Sequence, residues 1–131
     1  MIRTSAPLRS TFVAALVALV AAACGSKTTE PSNTPPVATT TITISSSGVS
    51  PKNAQISVGQ RVLFINNDNR SHNMTSDPHP EHTDCPEVNQ VGFLTAGQSR
   101  ETGNLVSVRT CGFHDHDNPD STALRGSIVI R

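Results

Sequence analysis

Tryptophan and tyrosine are absent from this 131-residue chain, and phenylalanine occurs four times. Without indole or phenol rings there is no stacking platform of the kind that single-stranded nucleic acids use. Charge is equally sparse: ten basic and ten acidic side chains cancel, and the bases are scattered singly, with no clustered surface to hold phosphates. Nucleic acid is therefore not an expected partner. The longest apolar run, Phe12 to Ala23, has twelve residues, short of the roughly 20 that a helix needs to cross a hydrocarbon core of about 30 Å. A permanent transmembrane span is not expected either. The length leaves room for one small domain and none for a multidomain enzyme.

What the chain does have begins with that apolar run. It follows Arg3 and Arg9 with no acid before it and ends in Ala21-Ala22-Ala23-Cys24-Gly25, the order of an export signal. Small residues closing on a cysteine resemble the lipobox of bacterial lipoproteins. The resemblance implies a signal peptide over residues 1–23, lipidation of Cys24 and a protein anchored at a membrane, periplasmic or at the cell surface. Ordinary cleavage at an Ala-x-Ala site is the alternative. Loss of residues 1–23 removes two arginines and no acid, leaving eight bases against ten acids, a net charge of −2. Ser26 to Thr41 then contains eleven Ser, Thr or Pro in sixteen residues, too little apolar surface to order itself, so residues 24–40 read as a disordered tether.

Residues 41–131 have a hydrophobic period of two. Thr41 to Ile44, Ala54 to Val58, Leu105 to Val108 and Ser127 to Ile130 alternate, and Val62 to Ile65 is a short apolar run. No window gives an amphipathic helix, and Gly- or Asn-rich turns separate the runs. Short strands with regular turns predict an all-β sandwich or barrel. The exception is Asn73 to Gly92, a long loop containing Pro78, Pro80 and Pro86; structureless stretches of that length are commonly functional.

All five histidines, His72, His79, His82, His114 and His116, lie between residues 72 and 116, together with Cys85 and Cys111. His72 follows an apolar run, and Cys111-Gly112-Phe113-His114-Asp115-His116 follows the strand expected over Val106 to Thr110. A thiolate with two imidazoles suits copper or zinc and suits magnesium or calcium poorly. Asp115, Asp117 and Asp120 lack the glycine and terminal glutamate of a calcium loop and read as loop carboxylates, with hydrogen bonding to ligand imidazoles as their other role.

The domain resembles the cupredoxins, the blue-copper family that includes plastocyanin, amicyanin and azurin. The likeness is carried by Val49-Ser50-Pro51, Ile56 to Val62, Phe64-Ile65-Asn66-Asn67 leading to Ser71-His72-Asn73-Met74, Ala96-Gly97-Gln98-Ser99, Cys111 with its histidines, and Gly126 to Ile130. It implies a Greek-key β-sandwich with one copper ion, cycling between Cu(I) and Cu(II), at one end. His72 matches the first histidine ligand and Cys111 the thiolate. His114 has the spacing of plastocyanin and amicyanin for the second histidine, and His116 that of azurin. Leu124 stands where the family has an axial methionine, and Met74 lies beside the first ligand.

Cys85 offers a competing arrangement. In an oxidising compartment an even pair of cysteines forms a disulfide by default, and Cys85 with Cys111 is the pair left once Cys24 is lipidated. A bridge would consume the thiolate and leave a site of His72, His114, His116 and, with them, His79 and His82. Two functions are thus expected: a membrane-tethered, monomeric carrier of single electrons between redox partner proteins, or a non-redox copper-binding or delivery module working with a copper donor or acceptor. An enzyme is not expected, because no oxyanion device and no HExxH motif is present.

Overall fold

The computed structural model describes residues 35–131; the export signal over 1–23, the lipidated Cys24 and most of the tether over 24–40 lie outside the described residues. Ten strands follow in chain order: β1 (Val37–Ala38), β2 (Thr41–Ser45), β3 (Gly48–Ser50), β4 (Asn53–Ile56), β5 (Leu63–Asn66), β6 (His72–Ser76), β7 (Gly92–Leu94), β8 (Ser99–Glu101), β9 (Arg109–Asp115) and β10 (Arg125–Ile130). Val37–Ala38, which the expected tether over 24–40 includes, pairs in parallel with β4. Among the described residues there is no α-helix, only the 3₁₀ turns Val88–Gln90 and Thr122–Leu124.

Two sheets form the expected all-β sandwich. One has six strands in the order β1-β4-β10-β9-β6-β7, the other four in the order β3-β2-β5-β8. The alternation of Ile42 and Ile44 in β2, Phe64 in β5 and Ile128 and Ile130 in β10 sends these side chains between the sheets, where all are buried. Phe64 from one sheet meets Phe113 from the other edge to face, with centroids 5.2 Å apart. A Cβ at Gly126, opposite Phe113 in the ladder, would overlap that ring and the Lys52 carbonyl. The glycine is therefore fixed by the close approach of its neighbours.

Two expectations about strands fail, both around β9. Leu105 to Val108 is irregular, with Val106 and Val108 exposed, and the strand starts at Arg109. It then continues through Cys111 and His114 to Asp115, where a ligand loop was expected. Similarly, β6 takes the first four residues of the expected loop Asn73 to Gly92. The reason is shared: β6 and β9 pair through Met74–Asp115, Thr75–His114 and Ser76–Phe113, and these residues, polar ones included, are held extended by each other's backbone.

Replacing Phe113 with Ala removes the central inter-sheet contact and should destabilise the domain by about 3–5 kcal/mol, read as a lowered urea midpoint by far-ultraviolet circular dichroism.

Candidate metal centre

In an extended strand successive side chains point to opposite faces. Along β9 this puts Cys111, Phe113 and Asp115 on the inner face and Gly112 and His114 on the outer one. Cys111 and His114, three residues apart, therefore cannot close on one ion. The thiolate is also spent: Cys85 and Cys111 form a disulfide, and both are fully buried. The donor set His72, Cys111 and a second histidine does not fit a metal in this structure.

His72 shows why in more detail. Its Nδ1 lies 3.0 Å from Asp115 Oδ2 and its Nε2 3.1 Å from Asp68 Oδ2, so each ring nitrogen is already engaged by a carboxylate oxygen. Asp115 also accepts from the Asn73 backbone N–H at 2.9 Å and from Asn118 Nδ2 at 2.9 Å. Asp68 accepts from the Asn69 N–H at 2.7 Å and from Arg70. The side chains around His72 are thus carboxylates and an amide, where a copper centre would place a thiolate and an imidazole. Asp115, read from the sequence as a loop carboxylate, is fully buried. Leu124 and Met74 are buried as well.

The other four histidines converge. One ring nitrogen from each of His79, His82, His114 and His116 can be chosen so that all lie within 4.8 Å of one another. A tetrahedral ion with bonds of about 2.0–2.1 Å spaces its nitrogens at roughly 3.4 Å, so a small inward movement of the rings completes a ligand set. The pairs are already close, with His116 Nδ1 3.2 Å from His82 Nε2 and the ring centroids of His79 and His116 5.0 Å apart.

Each ring is held by a different device. His114 stands on the outer face of β9 and is fully buried; its Nδ1 donates to Asp77 Oδ1 at 2.7 Å. This carboxylate fixes the tautomer that puts the lone pair on Nε2, where its one neighbour in hydrogen-bond range is the Thr75 hydroxyl at 3.5 Å. Gly112 makes room for it, since a Cβ there would collide with the Asp77 carboxylate. Arg125, opposite His114 on β10, reaches to 3.8 Å from the same carboxylate. His116 follows β9, its N–H bonded to the Asn73 carbonyl at 2.7 Å.

His79 and His82 come from the loop over 77–91. His82 is the single non-glycine residue with positive φ, 54°, among the described residues. Such a conformation costs energy and persists where the surroundings impose it, often at functional sites. Here the His82 N–H bonds to the Pro78 carbonyl at 2.7 Å, and Asn89 Nδ2 donates to the His82 carbonyl at 2.8 Å while its Oδ1 accepts from the Ser76 N–H. Burial holds the His82 imidazole below its usual 6.5, and the neighbouring His114, His116 and His79 add to the effect, with Glu81 opposing. The ring is neutral at pH 7 and its lone pair is available.

Of the residues singled out in the sequence, His114 and His116 are therefore brought together, with His79 and His82 from the alternative arrangement; His72 and Cys111 are not. Asp77 and Asp68 carry roles that sequence reasoning missed, although Asp68 sits in the conspicuous Asn66-Asn67-Asp68-Asn69 turn.

No protein-family model matches the chain, and no curated protein sequence does. Solved structures do match. The chain is similar to a purple cupredoxin from Nitrosopumilus maritimus, with 20% identity, a TM-score of 0.54, and coverage of 70% of this chain and 98% of that one. It is similar to oxidised plastocyanin from Dryopteris crassirhizoma, at 16% identity and a TM-score of 0.54, covering 70% and 99%. An oxidised amicyanin variant gives 18% identity and a TM-score of 0.54, covering 70% and 80%. These likenesses show the fold: the domain is a cupredoxin-like sandwich.

The carboxyls of Asp68 and Asp115 both lie below their ordinary 3.8; burial pushes them up, and hydrogen bonds from His72 and from nearby N–H groups outweigh it. Because the folded values are below the unfolded one, this stabilisation is complete above the unfolded value and is lost as pH falls through it towards the folded values. Asp115→Asn should flatten the fall of the urea midpoint between about pH 5 and pH 2; an unchanged profile would show that the network does not set acid stability.

Proposed function

We propose that this cupredoxin-fold domain is a copper-binding module whose ion is held by His79, His82, His114 and His116, with the cysteines bridged and taking no part in ligation. The observation that carries the reading is the convergence of four imidazoles, from two separate segments, within 4.8 Å. Nitrogen-only donor sets suit copper and zinc. Copper would supply a positive centre able to accept and return one electron. The protein's part is to hold four rings together, orient His114 through Asp77, and keep one side open, for His79 is exposed while His82 and His116 are partly covered. That gradient suits exchange of the ion with a donor or acceptor.

Carriage of single electrons between redox partners is the second reading, favoured by the shared fold with plastocyanin and amicyanin. It requires the four-imidazole site to retain copper in both oxidation states. The buried disulfide supports an exported protein, because such bridges persist in oxidising compartments. With the lipobox-like sequence ending at Cys24, it supports a periplasmic or cell-surface domain anchored through lipid on that residue.

Titration of the oxidised protein with Cu(II), followed by elemental analysis, should give one ion per chain, no titratable thiol at Cys85 or Cys111 and no intense visible thiolate band. A strong band of that kind would overturn the histidine assignment. His82→Ala should abolish stoichiometric binding, and Asp77→Asn should weaken it by about 10–100-fold. Protons compete with the metal for the His82 ring, which burial holds below the usual 6.5, so binding through that ring should be constant at neutral pH and fall only as pH drops past the lowered value.

A further inference from the structure

We infer that the bound ion and the Cys85–Cys111 bridge protect one another, so that a dithiol reductant gates release of the metal; this rests on the four-histidine reading above. The two closures share one loop. Cys85 comes three residues after His82, and Cys111 three residues before His114. The bridge thus fastens the segment carrying His79 and His82 to the strand that leads to His114 and His116, next to where an ion would fasten the same two segments.

Both cysteines are fully buried, so a reductant reaches the bridge only when the loop lifts away. That movement separates the loop histidines from the strand histidines. The ties that would have to yield include Asn89 to His82 and Ser76, Arg109 to the Asp84 carbonyl at 2.9 Å and Glu87 at 2.8 Å, the Asp77 N–H to the Gly112 carbonyl and the Gly103 N–H to the Glu87 carbonyl, and the burial of Val88. An ion holding all four rings adds a further closure, which must dissociate before the bridge is exposed.

The chemistry balances. One thiolate of the dithiol attacks a sulfur of the bridge and expels the other as a thiolate; the second thiol then closes on the mixed disulfide. The reductant leaves as a cyclic disulfide, and two electrons and two protons have passed to Cys85 and Cys111. The freed Cys111 thiol does not replace the lost ligands, because its side chain is on the inner face of β9 and His114 is on the outer. Reduction accordingly weakens the site, and by linkage the ion favours the oxidised bridge by the same factor.

The test uses the full oxidised chain, Zn(II) as a redox-inert probe, and a water-soluble phosphine, which reduces the bridge by two electrons and leaves as phosphine oxide. Binding stoichiometry and Kd are measured first. With Cys24 blocked by alkylation beforehand, release of the Cys85 and Cys111 thiols is then followed by alkylation and mass spectrometry at increasing zinc. The rate should fall by the factor 1 + [Zn]/Kd, about a hundredfold at 100 times Kd, and His82→Ala, oxidised and folded, should lose the protection. One bound ion with no slowing of reduction overturns this inference and leaves the four-histidine site standing. Absence of binding overturns both. Protection is read on the native oxidised chain, so it does not depend on whether the reduced chain stays folded.

Discussion

The two-residue period of β9 is the constraint on which the rest of the site depends. A strand that stays extended from Arg109 to Asp115 has no freedom over which side chains face inward. Cys111 joins the buried bridge, Phe113 fills the space between the sheets, and Asp115 meets His72, all on the inner face. His114 is left alone on the outer face, and its partners must come from elsewhere. They come from the residue just past the strand and from the loop over 77–91. The same backbone thus separates a buried acid–base network from a histidine cluster only one residue away.

That loop is long but well tied. Its backbone closes on itself through the His82 N–H to Pro78 and the Asp84 N–H to Asp77. Its side chains and carbonyls bond to β6 and β9, and a disulfide fixes its middle to the sheet. Its later part is anchored by Val88 and Val91, fully buried in the core with Cys85. Its histidine-bearing part, residues 77–84, is exposed or half-buried throughout and is ordered by hydrogen bonds that hold His82 in an unfavourable backbone conformation and by Asp77, which bridges the loop and His114. There local geometry is maintained where hydrophobic burial contributes little, a pattern expected when placement of side chains matters more than stability.

The sandwich was legible because its core strands alternate cleanly: Ile42, Ile44, Ile128 and Ile130 announce both their strands and their buried face. The short strands β3, β7 and β8 carry too few residues to show a period, and β1 is hidden in a run of threonine and proline. At the site the residue types were legible and the partition was not. Five histidines and two cysteines in 45 residues declare a cluster, but which of them share a face depends on whether Cys111 to Asp115 is strand or loop. Read as a loop, Cys111, His114 and His116 can surround one ion; paired with β6, they cannot. Asp68 and Asp115 show the same limit, since nothing in their own sequence says that they close on the two nitrogens of a single buried ring.

The poverty of aromatic and sulfur groups has a consequence for durability. Redox-active ions exposed to oxygen and reductants damage the proteins that hold them, and susceptibility of sulfur side chains follows their exposure. Here the described domain has no indole or phenol to oxidise, Met74 is fully buried, and both cysteines are already joined and covered. The groups nearest the open side, histidine, proline and aspartate, are the proposed ligands and their supports. A domain assembled this way can face an oxidising surrounding with its reactive matter inside, and its ageing would begin at the imidazoles rather than in the fold.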